Sequence, residues 1–163
     1  MKLDKPIHIH WELTNQCNLD CLHYYQQDDP AREDHLEEDV LFDIARGIVK
    51  EKIFQVTLTG GEPFILDCLP DLVRYFNDHN IIPHITSNGT MMKQKDVKWL
   101  SDLDCFLQIS LDASKRKLNN YIRQDPNAFN LTVNNIKMLK KEGISLSLSF
   151  CASSINYKDV GGV

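Results

Sequence analysis

Apolar residues recur along the chain with two alternating periods. Five short segments, Ile7–Leu13, Phe54–Thr59, Ile81–Thr86, Phe106–Leu111 and Ser145–Phe150, have the composition and length of strands. Between them the spacing lengthens to that of a helix face. Leu41, Ile44, Ala45 and Ile48 form one stripe, Leu69, Leu72, Val73 and Phe76 another, and Val97 with Leu100 a third. Phe129, Val133, Ile136 and Leu139 form the last. Strands alternating with helices predict a parallel sheet built from right-handed crossovers.

Within the strands, polar and apolar positions alternate. Ile7, Ile9, Trp11 and Leu13 share one parity, and His8, His10 and Glu12 the other. Phe54, Val56 and Leu58 oppose Gln55, Thr57 and Thr59, while Leu107, Ile109 and Leu111 oppose Gln108, Ser110 and Asp112. Leu146, Leu148 and Phe150 oppose Ser145, Ser147 and Ser149, and His84, Thr86 and Asn88 continue the polar parity in the third strand. A parallel sheet covered on both faces reads as near-continuous apolar runs. A closed eight-stranded barrel fills its interior with branched apolar side chains. The alternation therefore predicts an α/β fold of the partial (β/α) barrel type. It is an open parallel sheet of about five strands with helices on the convex face and a ligand on the polar concave face. A concave face that is merely solvated, or covered by a partner, fits the same pattern.

Composition narrows the function classes. A formal net charge of −5 with no basic block gives no footprint for nucleic acid or an anionic membrane. No apolar run is long enough to span a bilayer, and Met1–Pro6 lacks the apolar stretch of a signal peptide. The expectation is a cytoplasmic single domain over residues 1–163. Of the five cysteines only Cys17 and Cys21 are close in sequence, a pairing more typical of a metal or catalytic site than of a disulfide. Cys68, Cys105 and Cys151 lie in apolar surroundings and read as buried free thiols.

The chemistry concentrates where the first strand ends, in Thr14-Asn15-Gln16-Cys17-Asn18-Leu19-Asp20-Cys21-Leu22-His23-Tyr24-Tyr25. Loops at the carboxyl ends of parallel strands are where such folds bind ligands. A second unusual string, Thr59-Gly60-Gly61-Glu62-Pro63, closes the second strand, where glycines permit close backbone approach and positive φ. Together these strings resemble the radical S-adenosylmethionine (radical SAM) family. The first resembles its CxxxCxxC loop, often C-N-L-x-C-x-H-C-Y, with Tyr24 where the third cysteine stands. The second resembles its GGEP motif.

The resemblance implies that Cys17 and Cys21 are ligands of a 4Fe–4S cluster, whose irons thiolates hold. It implies that the cluster's open iron chelates SAM and reductively cleaves it to a 5′-deoxyadenosyl radical, which then modifies a peptide or a small metabolite. A phenol is a harder and far less acidic ligand than a thiol, so Tyr24 is expected to weaken or abolish cluster assembly. His23 belongs to the same string. Gly60, Gly61 and Glu62 are expected at the methionyl end of SAM. Ser87-Asn88-Gly89-Thr90 resembles the family's T-N-G-T turn and Ser110-Leu111-Asp112 its S-x-D, which places Asn88, Ser110 and Asp112 at the site. Arg123, before Asp125 and Phe129, resembles the arginine that pairs with the SAM carboxylate, a task suited to a permanently charged fork.

Other readings accompany these. His8 and His10 are candidate metal ligands or substrate contacts, and Cys17, Cys21 and His23 are candidate zinc ligands short of the usual fourth. A relative that binds SAM or a peptide without catalysis, as a partner subunit, is the alternative function. Family cores generally carry a sixth strand, which helps to hold adenine, so the chain reads as a truncated core domain. Its last strand would be an exposed edge favouring a homodimer.

Overall fold

The computed structural model describes residues 5–23 and 36–163, so Tyr24 and Tyr25 lie outside the described residues. Strands β1 (His8–Glu12), β2 (Gln55–Thr59), β3 (His84–Ser87), β4 (Phe106–Ser110) and β5 (Leu146–Ser149) form one parallel sheet in the order of the sequence. An order that never reverses is that of a barrel wall rather than of a doubly wound sheet. The described sheet is open, as a partial barrel requires.

Helices α1 (Glu38–Lys50), α2 (Leu69–Asp78), α3 (Gln94–Asp102), α4 (Arg116–Arg123) and α5 (Ala128–Lys141) supply the crossovers. Proline at the first turn of α2 needs no N–H there, and Asp96 caps α3 by accepting the Lys93 amide at 2.7 Å. The core lies on the convex face. Leu41, Ala45 and Ile48 of α1 and Leu69, Leu72, Val73 and Phe76 of α2 are buried with Val56, Leu58, Ile85, Leu107 and Ile109 of the sheet. The predicted alternation is realised in the middle of the sheet, whereas Ile7 and Phe54, just ahead of β1 and β2, and Leu148 of the edge strand β5 are exposed. Among the described residues no helix is long and apolar enough to cross a membrane.

Several local details depart from the expectation. The third strand begins at His84 rather than Ile81, because Pro83 has no N–H for the ladder. Helix α4 lies outside the expected stripes because its apolar face is short, Leu118, Tyr121 and Ile122 among Arg116, Lys117, Asn119 and Asn120. Helix α5 fully buries Ala128, Thr132 and Leu139, whereas Phe129, Val133 and Ile136 are only half-buried. It is keyed to the loop after β3 by polar contacts, Thr132 Oγ1 to the Asn88 carbonyl at 2.9 Å and Asn135 Nδ2 to the Gly89 carbonyl at 2.8 Å. Cys68 is buried as read, but Cys105 is only half-buried and Cys151 is exposed, the last because it follows the edge strand β5.

Phe76 has no exposed surface and sits at the centre of the core. Phe76→Ala is expected to lower unfolding stability by about 3–5 kcal/mol, measured by urea denaturation with an unchanged slope.

Candidate functional site

The loop after β1 and the turn after β2 are stitched together by backbone hydrogen bonds. Leu13 N–H donates to the Thr59 carbonyl at 2.9 Å, Gly61 N–H to Thr14 at 2.7 Å and Glu62 N–H to Gln16 at 2.8 Å. The cysteine loop therefore extends the β1–β2 pairing beyond the ends of the strands. This contact explains the two glycines. A Cβ at Gly60, where φ is +131°, would lie 2.4 Å from the Thr14 carbonyl oxygen, and one at Gly61 would lie 2.0 Å from that of Gln16. Their demand comes first from the neighbouring loop.

Glu62 is fully buried. Its Oε1 accepts from Ser87 Oγ at 2.8 Å and the Phe64 amide at 3.1 Å, and its Oε2 accepts from the Asn88 amide at 2.7 Å. Burial raises its pKa, against the pull of these donors and of Arg123. Asn88 in turn reaches the cysteine loop, with Nδ2 2.9 Å from Asn18 Oδ1 and 3.9 Å from Cys17 Sγ. Thr90 completes the bridge, donating from its amide to Asn88 Oδ1 at 2.8 Å and accepting from Asn18 Nδ2 at 2.9 Å.

On the opposite wall Arg123, from the end of α4, is buried between two partners. Its Nη1 is 3.7 Å from Cys21 Sγ and its Nη2 is 2.7 Å from Asp112 Oδ2. The second contact is an ion pair without hydrogen-bond alignment, so Asp112 Oδ2 and Arg123 Nε both stay without a hydrogen-bond partner. Asp112 has no exposed surface. Its Oδ1 accepts from the Cys151 amide at 2.9 Å, and its own amide donates to Asn119 at 3.0 Å. His23 Nε2 lies 3.8 Å from Asp112 Oδ2. Burial lowers the pKa of His23, Asp112 opposes that shift and Arg123 adds to it. Burial also raises the Cys21 thiol, with Arg123 pulling it back toward thiolate.

These groups surround a cavity of about 140 Å³ at the carboxyl ends of β1–β4. Cys17, Cys21, His23, Gly60, Gly61, Asn88, Ser110 and Arg123 line it, as do Thr59, Thr86 and Ser87. Glu62 and Asp112 do not line it; they stand behind the wall and hold its members in place. Sequence reasoning missed the supports Asn119 and Asn156, the latter donating to the Asp112 and Cys151 carbonyls at 2.9 Å. No motif marks either residue.

A family model described as the radical SAM superfamily matches residues 11–160, nearly the whole chain. The chain belongs to the radical SAM superfamily. It is 26% identical over 98% of its length to an Fe-coproporphyrin III synthase of Methanosarcina barkeri, 40% of which is covered. It is 31% identical over 74% of its length to the mycofactocin maturase MftC of Mycobacterium ulcerans, 33% of which is covered. The chain thus spans well under half the length of these radical SAM relatives. In fold it is similar to Streptococcus suis SuiB bound to S-adenosylmethionine, with a TM-score of 0.81 at 18% identity over 95% of this chain and 36% of that one.

The cofactors of the radical SAM superfamily are a 4Fe–4S cluster and SAM, and the residues fit the two unequally. The cavity offers close backbone, hydroxyls, an amide and the Arg123 guanidinium, a set suited to the polar ends of SAM. For the cluster it offers two thiols, and among the described residues no group of three His, Cys, Asp or Glu side chains is placed to hold a metal ion. The described donor set does not complete a cluster site.

Glu62→Ala is expected to cost about 3 kcal/mol of stability, because it strands three donors at about 1 kcal/mol or more each. Since the folded pKa of Glu62 is raised, its contribution is fullest below the ordinary glutamate range and declines as pH rises through the folded value. Urea melts should therefore show a wider gap between wild type and Glu62→Ala at about pH 5 than at about pH 8.

Proposed function

We propose that this chain is a SAM-binding radical SAM core whose ancestral activity, reductive cleavage of SAM to modify a peptide or small metabolite, is impaired by Tyr24. The observation that carries the reading is the convergence of Cys17, Cys21, Gly60, Gly61 and Arg123 on one cavity. In this reading Gly60 and Gly61 receive the methionyl end of SAM, and Arg123 meets its carboxylate through a guanidinium already desolvated and oriented by Asp112. Asn88, Ser110 and His23 line the remaining wall. A bound cluster would supply the electron for cleavage. Cys17 and Cys21 are its candidate ligands.

Support for a peptide substrate comes from the names of relatives. They include the mycofactocin maturases, a subtilosin biosynthesis protein of Bacillus subtilis and a SuiB structure bound to the precursor peptide SuiA. The Fe-coproporphyrin III synthase keeps a small-molecule substrate in view. The proposal places the chain in the cytoplasm, where thiols stay reduced. A homodimer through the β5 edge belongs to the same proposal.

The two-thiol donor set favours a second reading, a SAM-binding relative without catalysis that serves as a partner subunit. Anaerobic reconstitution with iron and sulfide separates the two. Under the first reading wild type holds some iron and Tyr24→Cys severalfold more, with the absorbance of a 4Fe–4S cluster. Under the second, wild type holds none, yet calorimetry on the iron-free protein detects SAM. Equal and full cluster loading of wild type and Tyr24→Cys would sink the role given to position 24.

A further inference from the structure

Below the glycine rim the concave face opens into a second and larger trough of about 410 Å³. The two hollows share Thr59 and Thr86, so they are continuous along the sheet. Strand register explains what the trough contains. His10 pairs with Thr57, Thr57 with His84, and His84 with Phe106, so one row across four strands carries two imidazoles and an aromatic ring. His8 and Gln55 form the row beneath.

The side chains interlock. His8 Nε2 is 2.8 Å from Thr57 Oγ1, and His84 Nε2 is 2.9 Å from Gln55 Nε2. The His8 and His10 ring centroids are 4.3 Å apart, and His84 lies 4.7 Å from Phe106. Each strand contributes to this face. β1 brings His8 and His10, with Glu12 one row above; β2 brings Gln55 and Thr57; β3 brings His84; β4 brings Phe106 and Gln108; β5 brings Ser147. Among the described lining residues there is no carboxylate and no lysine or arginine. Three imidazoles thus share a hollow with hydrogen-bonding amides and hydroxyls, and the carboxylate on the same face, Glu12, stands one row above His10 and outside the lining.

Such a cluster has a definite preference. Protonating one imidazole raises the cost of protonating the next, unless an anion enters to offset the like charges. A carboxylate beside Phe106 can accept from imidazolium and from the Gln55 or Gln108 amides, while its apolar stem lies against the ring. The metal alternative lacks the required set, since no three candidate ligands among the described residues converge to hold an ion.

We propose that this trough is a carboxylate-binding compartment that takes up a proton with its ligand, at His8, His10 or His84. Calling the ligand a substrate rests on the radical SAM reading; the binding of a carboxylate does not. The pKa of His8 is already lowered by burial and by the two neighbouring histidines, so a bound anion has a shift to reverse.

Calorimetry on the iron-free chain tests the proposal, with benzoate as a free acid and a glutamate-containing tetrapeptide against its glutamine counterpart. Binding is expected about tenfold tighter at about pH 5.5 than at about pH 7.5, with about half a proton taken up on average across that interval. That uptake is read from the buffer dependence of the heat. The wild-type pH dependence carries the test, and His10→Gln and His84→Gln, each first shown folded by circular dichroism, should flatten it. A preference for the glutamate peptide assigns the carboxylate to a peptide side chain; binding of benzoate alone assigns it to a free acid. Affinity that is the same at both pH values, or no binding of any probe, overturns the proposal. Zinc binding that competes with benzoate would make the trough a metal site and overturn it equally. SAM binding measured in parallel reports on the upper cavity. Its absence with benzoate binding intact would remove the functional reading and leave the trough standing.

Discussion

Glu62 has no exposed surface, yet its two oxygens take donors from its own turn and from the loop after β3. Its own amide donates to the cysteine loop. One residue therefore ties together three loops that the sheet alone would leave to diverge. A buried carboxylate is costly unless its lone pairs are filled. Here three donors fill them, from Phe64, Ser87 and Asn88. The glycines next to it complete the constraint. With any side chain at position 61 the backbone of Gln16 could not come so close.

This constraint divides the site into groups that touch a ligand and groups that place them. Glu62 and Asp112 carry the charges that a motif reader would aim at a cofactor, yet both are turned into the protein. What faces the cavity is backbone at Gly60 and Gly61, hydroxyl and amide at Ser110 and Asn88, the thiols, and Arg123. Asp112 takes Arg123 out of water and points it inward, so the guanidinium is pre-organised before any anion arrives. The unpartnered Nε beside it is the kind of orphaned donor that binding sites retain and plain cores do not.

Much of this architecture was legible in the sequence because alternation of period two is a direct record of which face is wet. His8, His10, Gln55, Thr57 and Gln108 lie on the concave face as their parity requires, and the cysteine string and the Gly-Gly-Glu turn meet at one rim. What the sequence hid were supports of mixed composition. Helix α4 buries Asn119 and Arg123 beside Ile122, and its apolar face of Leu118, Tyr121 and Ile122 is too short to stand out. Thr132 and Asn135 key α5 to the loop after β3 by hydrogen bonds that periodicity cannot register. For a related reason the motifs put Glu62 and Asp112 at the ligand, whereas the structure pairs both with protein groups behind the cavity wall. Motifs record that a carboxylate is needed, and only coordinates tell whether it faces the ligand or the scaffold.

The polar concave face also resolves an apparent conflict between the whole chain and its hollows. The chain carries a formal net charge of −5, which at long range repels anions. That field is screened over roughly 10 Å at ordinary ionic strength. Inside the hollows the local donors decide instead: a desolvated guanidinium at the carboxyl ends of the strands and imidazoles toward their amino ends. Acidic residues such as Glu38, Asp39 and Asp71 lie in the first turns of outer helices, where they complement the helix dipoles. With Glu38, Asp39 and Asp71 on the outer helices and Arg123 and the imidazoles lining the hollows, an acidic chain can still offer its interior to anionic groups. The alternation in the strands lies behind this, because the parity that buries the core also selects what the hollows offer.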